Sequence, residues 1–371
     1  MSLFRRGADL DLDLAAIRDA VGRVEDPEIH RPIADLGMLG DVTARDGRVR
    51  VEIRLTTPTC PLRDAFGVAV TAAVHSVAPG AVVEVVFGAL DERARRDLSA
   101  RLRGPERGIP VPAPRIYAVA SGKGGVGKSS VTANLAVALA DQGLSVGLLD
   151  ADVWGYSVPH LFGTRRAPVA LSGLMFPVEA HGVRLMSTGF LVPEDEPVVW
   201  RGPMLHKALE QFLADVHWGD LDVLLLDLPP GTGDITLSLL ELVPSAALLA
   251  VTTPQPAARV VASRVGRMAK DARMPVAGVV ENMSAAVCEA CGHGTALFGS
   301  GGGAQLAGEM GVPLLAQVPL DAALREAGDA GVPVVRRNPT AASAQVLRQL
   351  AADLPVVRRS LVGVPLPLSV A

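Results

Sequence analysis

The sequence feature that most constrains this chain is a glycine-rich stretch, Gly122–Ser129, with the sequence G-K-G-G-V-G-K-S. It fits the phosphate-binding pattern G-x-x-x-x-G-K-S/T, which is informative only where a strand precedes it and a helix follows. Residues 116–120 form an uncharged apolar run, and residues 130–139 carry apolar residues at helical spacing. The sequence therefore predicts a strand, a phosphate-binding loop and a helix in direct succession.

The residue types in this loop predict how it would hold a nucleotide. Glycines allow backbone N–H groups to turn toward phosphate oxygens, and the N-terminus of the following helix adds positive potential. Lys128 is predicted to contact the β- and γ-phosphates, and the Ser129 hydroxyl is predicted to bind Mg²⁺. The predicted nucleotide-binding residues of the loop are Gly122, Gly124, Gly125, Val126, Gly127, Lys128, Ser129 and Ser130.

A second lysine, Lys123, stands early in the loop. With it, the loop resembles that of the deviant Walker A family of dimeric ATPases. In that family the early lysine reaches across a two-fold interface to the partner's nucleotide. The resemblance implies that Lys123 is catalytic and that the protein hydrolyses ATP as a homodimer. A solvated loop lysine is the alternative.

Two carboxylate motifs lie where apolar runs end, the positions at which ligands bind in parallel sheets. Asp227 precedes L-P-P-G-T-G-D and is predicted to hold Mg²⁺, directly or through water. Asp152, in D-A-D, is a candidate to orient the attacking water, as the first switch does in this ATPase class. Gly231 is predicted to offer its N–H to the γ-phosphate. Helix capping is the alternative for a single such aspartate.

The order of elements predicts two domains within 371 residues. We predict a small α+β domain over residues 1–103, a Pro/Gly linker over 104–114, a P-loop ATPase domain over 115–355 and a tail over 356–371. The ATPase domain is predicted to be α/β with a mostly parallel sheet, because apolar runs alternate with helical stretches. Those strands are predicted near residues 116–120, 145–149, 183–186, 222–227, 246–252, 276–281 and 314–318.

The small domain has short motifs of its own. Asp26-Pro27-Glu28, Asp35-Leu36-Gly37-Met38 and the T-T-P-T-C-P-L stretch at 56–62 together resemble a small metal-sulfur cluster biosynthesis domain that occurs alone or fused to ATPases. On that resemblance Cys60 is a candidate functional thiol. A structural cysteine is the alternative, although a position at a helix N-terminus would make the thiol more acidic.

The other two cysteines of the chain, Cys288 and Cys291, form a C-x-x-C-G-H motif after an apolar run. Two thiolates at this spacing are half of a tetrahedral sulfur site, and a two-fold dimer would supply the other half. A 4Fe-4S cluster, a zinc ion and a dithiol redox pair all remain open from the residues alone.

Charge and hydropathy argue against two classes of partner. Thirty-five basic residues against thirty-nine acidic ones give a net charge of −4, so no overall positive field favours nucleic acid. The arginine-rich stretch 91–103 lacks interleaved aromatics and is read as a solvated helix face. No run approaches the ~18 apolar residues of a membrane span, and the N-terminus lacks a signal core. We predict a cytoplasmic protein with no membrane or nucleic-acid partner.

Taken together, the motifs resemble the Mrp/ApbC family of iron-sulfur cluster carrier ATPases with a fused N-terminal cluster biosynthesis domain. They are G-K-G-G-V-G-K-S-S, D-A-D, D-L-P-P-G-T-G-D, V-T-T-P-Q, E-N-M, C-x-x-C and V-P-L-D. The resemblance implies a homodimer that holds a 4Fe-4S cluster on Cys288 and Cys291 and passes it from the assembly machinery to apoproteins. It also implies that Asn282 reads the adenine edge, where a turn-forming asparagine is the alternative. Tyr156 departs from the common family form, which has proline there.

Two other classes share parts of this pattern. A spatial organiser of the MinD or ParA type has the same loop but binds a membrane or DNA, whereas the tail here, residues 356–368, is broken by two prolines and is a poor interfacial helix. A nitrogenase-reductase-like electron donor bridges its cluster by single, well-separated cysteines, and the C-x-x-C motif argues against it.

Overall fold

The computed structural model describes residues 12–56, 62–103, 115–153, 155–191, 202–233, 236, 242–288 and 291–356. These residues divide into two compact units. The first comprises the described part of Met1–Arg107 together with Val169–Phe176, and the second comprises the described parts of Gly108–Pro168 and Pro177–Ala371. The predicted linker 104–114 lies outside the described residues, so the predicted domain limits stay predictions. Cys60 also lies outside them.

The helices and strands are numbered in chain order. The strands are β1 (Leu39–Arg45), β2 (Arg48–Leu55), β3 (Val82–Ala89), β4 (Arg115–Ser121), β5 (Val146–Asp150), β6 (Val169–Leu171), β7 (Leu174–Phe176), β8 (Val178–Ala180), β9 (Val183–Ser187), β10 (Val223–Asp227), β11 (Ala247–Thr252), β12 (Val276–Val287), β13 (Gly294–Thr295) and β14 (Leu314–Leu320). The helices are α1 (Leu14–Gly22), α2 (Arg63–Val77), α3 (Glu92–Arg103), α4 (Lys128–Asp141), α5 (Val158–Leu161), α6 (Gly202–Ala214), α7 (Pro256–Asp271), α8 (Gly302–Met310), α9 (Ala322–Asp329), α10 (Val334–Arg337) and α11 (Ala342–Ala352), with a 3₁₀ turn at Thr188–Phe190.

The first unit is built on a three-stranded sheet in the order β1-β2-β3. β1 and β2 pair antiparallel through a tight turn at Asp46 and Gly47, whose φ angles of 49° and 72° are those of a hairpin turn. β2 alternates buried and exposed residues, and its buried side chains share a core with Phe66 and Val70 of α2. The predicted α+β arrangement is confirmed.

A hairpin formed by β6 and β7 completes the core of the first unit. Its residues Leu171, Leu174 and Phe176 are almost fully buried in the same apolar cluster as the β1-β2-β3 sheet. The carbonyl oxygen of Ser172, at the hairpin turn, accepts hydrogen bonds of 3.5 Å from the side chains of Ser99 and Arg103. No role was predicted for this hairpin, which lies more than sixty residues beyond α3.

The described part of the second unit holds a nine-stranded sheet. Its order is β13-β12-β11-β4-β10-β5-β9-β8, and β14 pairs with the other edge of β12. All pairs are parallel except β12 with β13 and β8 with β9. The predicted mostly parallel sheet is confirmed.

Helices cover both faces of this sheet, as alternate residues of one strand show. Leu249 and Val251 of β11 belong to the apolar cluster that includes α4 and α11, whereas Ala250 between them packs with α7 and α8. A strand buried on both faces must be apolar throughout, which explains the uninterrupted apolar runs in the sequence.

The helices that the structure describes were compared with the length and hydropathy of a membrane span. None of these is long and apolar enough to cross a membrane. Most of the predicted tail, residues 357–371, lies outside the described residues, and the cytoplasmic location stays a prediction.

Candidate functional site

The glycine-rich loop joins the end of β4 to the start of α4, as predicted. Gly127 is the residue before α4 and has a φ of 77°, in the left-handed region that glycine favours. A Cβ there would come within 2.2 Å of the Asn282 side-chain nitrogen, and a Cβ at Gly122 would come within 2.3 Å of the backbone nitrogen of Ala262. Both positions therefore require glycine for close approach of neighbouring chain segments.

A cavity of ≈ 250 Å³ lies against this loop. It brings the two loop lysines and the predicted water-orienting aspartate together; its lining residues are Ser121, Lys123, Gly124, Gly125, Val126, Gly127, Lys128, Ser129, Ser130, Asp152, Gly155, Ser157 and Pro230. A larger cavity of ≈ 460 Å³ beside α7 and α8 contains none of the predicted site residues. The smaller cavity is the candidate site because several polar groups converge on it.

Lys128 and Asp227 form a buried ion pair at the floor of the site. The Lys128 ammonium lies 2.7 Å from Asp227 Oδ2, and the two side chains are 6% and 0% exposed. Ser129 donates its hydroxyl to the same carboxylate at 2.5 Å, and Thr132 Oγ1 lies 2.8 Å from Asp227 Oδ1. Sequence reasoning missed Thr132; the available signal was its position one helical turn after Lys128.

Asp150 pairs in register with Asp227 across β5 and β10 and is also fully buried. Its carboxyl group accepts hydrogen bonds from the N–H groups of Asp152 and Val158 and from the Ser187 hydroxyl. Burial, and next the negative charge of Asp227, raise the pKa of Asp150 to about 7. Asp150 thus organises the turn that carries Asp152.

Asp152 lies at the mouth of this turn with one carboxylate oxygen accepting the Gly155 N–H at 3.1 Å. The unusual Tyr156 packs against the chain at Gly189, where a Cβ would come within 2.3 Å of the tyrosine ring. Because Gly189 has no side chain, the ring fits there, and Asp152 still lines the cavity.

Two predicted catalytic-site groups have partners within the chain. Lys123 donates to the side-chain oxygen of Gln255 at 3.3 Å, and the Gly231 N–H donates to the Ser121 carbonyl at 2.8 Å. In this arrangement the Gly231 N–H is already used, so a contact with a γ-phosphate requires the loop to move. The roles of Lys123 across a dimer and of Gly231 as a phosphate sensor stay predictions.

Asn282 lies behind the loop, where it holds the backbone. Its side-chain N–H donates to the Val126 carbonyl at 2.9 Å, and its Oδ1 is buried without a hydrogen-bond partner among the described residues. The preceding Glu281 is buried and accepts from the Gly303 N–H and the Gln317 amide. The contact with Val126 was not predicted, and the predicted contact with adenine stays a prediction.

The two cysteines lie on a hairpin between β12 and β13. Val287 pairs with Gly294, the Cys288 N–H donates to the His293 carbonyl at 3.0 Å, and the Gly292 N–H donates back to the Cys288 carbonyl at 2.8 Å. Both thiols are exposed and neither forms a disulfide. The described residues contain no group of three or more His, Cys, Asp or Glu side chains placed to hold a metal ion.

Comparison with known families covers both units. Residues 113–355 match the family described as NUBPL iron-transfer P-loop NTPase. Residues 14–87 match the family described as iron-sulfur cluster assembly protein. The two matches cover the predicted ATPase domain and most of the predicted small domain.

Individual relatives match nearly the whole chain. An iron-sulfur cluster carrier protein of Mycobacterium tuberculosis (strain ATCC 25618 / H37Rv) is 49% identical over 375 residues, which is 97% of this chain and 97% of that protein. A protein of the same name from Deinococcus radiodurans is 43% identical and covers 91% of this chain and 94% of its own length. Among solved structures, a nucleotide-binding protein from Archaeoglobus fulgidus in complex with ADP has a TM-score of 0.57 and 35% identity, covering 67% of this chain and 95% of that one. The chain therefore belongs to the Mrp/ApbC family of iron-sulfur cluster carrier P-loop NTPases, with an iron-sulfur cluster assembly domain at its N-terminus.

Proposed function

We propose that this protein hydrolyses ATP at the phosphate loop, holds a 4Fe-4S cluster between two copies of the chain, and transfers the cluster to apoproteins. The observation that carries the proposal is the path of β12. Asn282 on this strand holds the phosphate loop through Val126, and the exposed thiols of Cys288 and Cys291 lie just beyond the end of the same strand. One strand thus leads from the phosphate loop to the two cysteines.

The phosphate loop supports the nucleotide half of the proposal. Residues 124–130, which include the N-terminus of α4 with Lys128 and Ser130, line the cavity that would take the phosphates. A helix N-terminus favours bound phosphate. The solved relative with ADP supports a nucleoside phosphate as the ligand. ATP is the expected nucleotide because the motifs of the chain resemble those of a family of ATPases.

The residues at the floor of the site fit a magnesium ion. The Ser129 hydroxyl and the Asp227 carboxylate offer oxygen ligands, the donors that Mg²⁺ takes in small number beside water and phosphate. When bound, Mg²⁺ neutralises charge on the phosphates. The Lys128 ammonium also offsets the Asp227 charge.

Asp152 is proposed to orient the water that attacks the γ-phosphate. Its carboxylate lines the cavity, and the hydrogen bonds from Gly155 and to Asp150 fix the turn that carries it. Lys123 is proposed to act across the dimer interface, which requires it to leave its present partner, Gln255. Neither role depends on the other.

The cluster half of the proposal rests on the number and exposure of the thiols. One chain presents two exposed thiols on a hairpin, and a 4Fe-4S cluster takes four thiolates, so two chains related by a two-fold axis would complete the set. The cluster is cargo: it would be received from the assembly machinery and passed to apo iron-sulfur proteins.

Anaerobic reconstitution with iron and sulfide tests the proposal. We expect about four iron and four sulfide per two chains, with an iron-sulfur absorption band. Cys288→Ser and Cys291→Ser should lose the cluster and keep nucleotide binding, because neither residue lines the nucleotide cavity.

Two control variants should keep the cluster. His293→Ala removes an alternative metal ligand next to the two cysteines and should keep the cluster, since the hairpin uses the His293 backbone carbonyl, which the variant retains. Cys60→Ser should also keep it. A protein that takes up zinc but no iron or sulfide, or a Cys288→Ser variant with a full cluster, would contradict the carrier proposal and favour the spatial-organiser class.

A further inference from the structure

The strand that leads to the cysteine hairpin is interrupted just beyond the phosphate loop. Asn282 of β12 pairs with Val318 of β14, and the next pair joins Ala286 to Leu320. Between these two pairs β12 has three residues, 283–285, where β14 has one, Pro319, which is a bulge. Bulges bend a strand and re-aim the residues that follow. The pairing of β12 with β11 ends at Glu281, so the strand loses its second neighbour at the same point.

Met283, within this bulge, has a left-handed backbone with a φ of 57°. Methionine has neither the missing Cβ of glycine nor the short polar side chain of asparagine, the features that make this region accessible. Five other described non-glycine residues have positive φ, and all lie outside strands and helices: His30, Asp46, Ser172, His181 and Arg273. Such a conformation persists only where its surroundings hold it.

The surroundings that hold Met283 belong to the phosphate loop. Asn282 donates to the Val126 carbonyl at 2.9 Å. A Cβ placed on Gly127 would lie 2.2 Å from Asn282 Nδ2 and 3.7 Å from Met283 Cε, so both side chains lie against the Gly127 backbone. A displacement of this backbone therefore acts directly on the bulge.

On its other side the bulge leads to the cluster ligands. Asn282 is buried, residues 283–287 are half-buried, and Cys288 is exposed. After Val287 the chain forms the hairpin with β13 that carries both thiols. Beyond the bulge, no pairing with β11 holds the strand, and its pairing with β14 resumes only at Ala286. The backbone angles at the bulge therefore contribute to the direction of this hairpin.

We propose that Met283 is a positioning residue that sets the direction of the cysteine hairpin according to the nucleotide state of the phosphate loop. This inference rests on the proposed function and adds its regulation. Nucleotide binding shifts the backbone at Val126 and Gly127, the shift passes to Asn282 and Met283, and the bulge turns it into a rotation of Cys288 and Cys291. The geometry in which the thiols meet a cluster or a recipient then differs between the two nucleotide states.

The test measures thiol accessibility in the reduced protein without a cluster. Full-length protein is treated with iodoacetamide, with and without saturating Mg-ATP, and alkylation of Cys288 and Cys291 is followed by peptide mass spectrometry. In the wild type we expect the nucleotide to change the alkylation rate about fivefold or more, a typical allosteric coupling. Met283→Gly frees the backbone and removes the contact with Gly127. For this variant we expect the ratio of the alkylation rates with and without Mg-ATP to lie within about twofold of one.

Matched variants separate positioning from general damage. Met283→Leu keeps a long apolar side chain, and Ser284→Ala changes the adjacent half-buried residue; both should keep the wild-type ratio. Met283→Asn tolerates the left-handed backbone but is too short to reach Gly127, and should lose the ratio as Met283→Gly does. Nucleotide affinity is measured for each variant, so that the comparison is made at saturation.

Two results would overturn the inference: a wild-type alkylation rate that does not respond to Mg-ATP, or a wild-type ratio in both Met283→Gly and Met283→Asn. Because alkylation needs no cluster, this outcome is independent of the reconstitution experiment. A protein that binds no cluster, but whose alkylation rate responds to Mg-ATP, would contradict the carrier proposal alone. A protein that binds the cluster, but whose alkylation rate does not respond to Mg-ATP, would contradict only the role of Met283.

Discussion

Replacing Lys128 by methionine should destabilise the nucleotide-free protein strongly, in addition to removing nucleotide binding. The Lys128 ammonium lies 2.7 Å from a fully buried Asp227 carboxylate, and the lysine is itself only 6% exposed. At an effective dielectric constant of about 20, two unit charges at that distance attract by about 6 kcal/mol. Most of this attraction offsets the cost of burying both charges.

The magnitude follows from what the variant leaves behind. Lys128→Met leaves the Asp227 carboxylate buried beside Asp150, with the hydroxyls of Ser129 and Thr132 as its remaining partners. Breaking a buried pair by removing one partner typically costs 3–5 kcal/mol, so we expect a loss of about 3 kcal/mol or more in the free energy of unfolding. The double variant Lys128→Met/Asp227→Asn should lie within about 1 kcal/mol of wild type, because no uncompensated charge remains.

Urea unfolding without nucleotide or Mg²⁺, followed by tryptophan fluorescence, measures this. All three tryptophans lie in the sequence beyond Arg115, so the signal reports on that part of the chain. Lys207→Met, at an exposed position on α6, is the matched control and should change stability by less than about 0.5 kcal/mol. The reasoning would be refuted if the free energy of unfolding of Lys128→Met lay within about 1 kcal/mol of the wild-type value. It would also be refuted if the losses measured for Lys128→Met and for Asp227→Asn simply added in the double variant.

Three further predictions follow from the structure. Asp152→Asn should lower ATP turnover by about 10²-fold and leave nucleotide affinity nearly unchanged, because a water-orienting group acts in the chemical step; equal losses in steady-state rate and in equilibrium binding would contradict this. If Lys123 acts across the interface, Lys123→Ala chains mixed with Asp152→Asn chains should recover some ATPase activity through one composite intact site, and no recovery in proven mixed dimers would place Lys123 in its own site. Burial raises the pKa of Asp26, so between pH 3.8 and the folded-state pKa the unfolded chain loses this proton first, and the stability of the folded state falls as pH rises. Asp26→Asn should reduce this fall in stability, measured by hydrogen exchange of the first unit. An unchanged pH dependence in the variant would contradict the prediction.

Sequence alone determined the features that depend on neighbouring residues. The loop Gly122–Ser129 could be recognised with its strand and helix because its function requires contiguous residues. The apolar runs of the second unit indicated strands buried on both faces, and a parallel sheet places their carboxyl ends together. Asp152 and Asp227 were therefore expected near the loop. In the structure Asp152 lines the cavity at the loop, and Asp227 contacts Lys128 and Ser129.

Only the tertiary structure decided how those groups meet. The pairing of Lys128 with Asp227, and the support that Asp150 gives to Asp152, depend on β5, β10 and β4 being neighbours in the sheet. Strand order is set by packing over the whole unit, and local sequence carries little information about it. The Gly231 N–H was predicted to face a phosphate. It donates instead to the Ser121 carbonyl, a contact that also depends on the order of the strands.

Contacts between distant segments were the least predictable. Nothing in the sequence near Asn282 indicates that it holds the carbonyl of Val126, and nothing in residues 169–176 indicates that they complete the core of a unit that otherwise ends before them. The bulge at Met283 was equally hidden, because methionine is not a residue that favours a positive φ. Local propensity records what a segment prefers in isolation, whereas these three features exist because packing elsewhere in the fold overrides or supplements that preference.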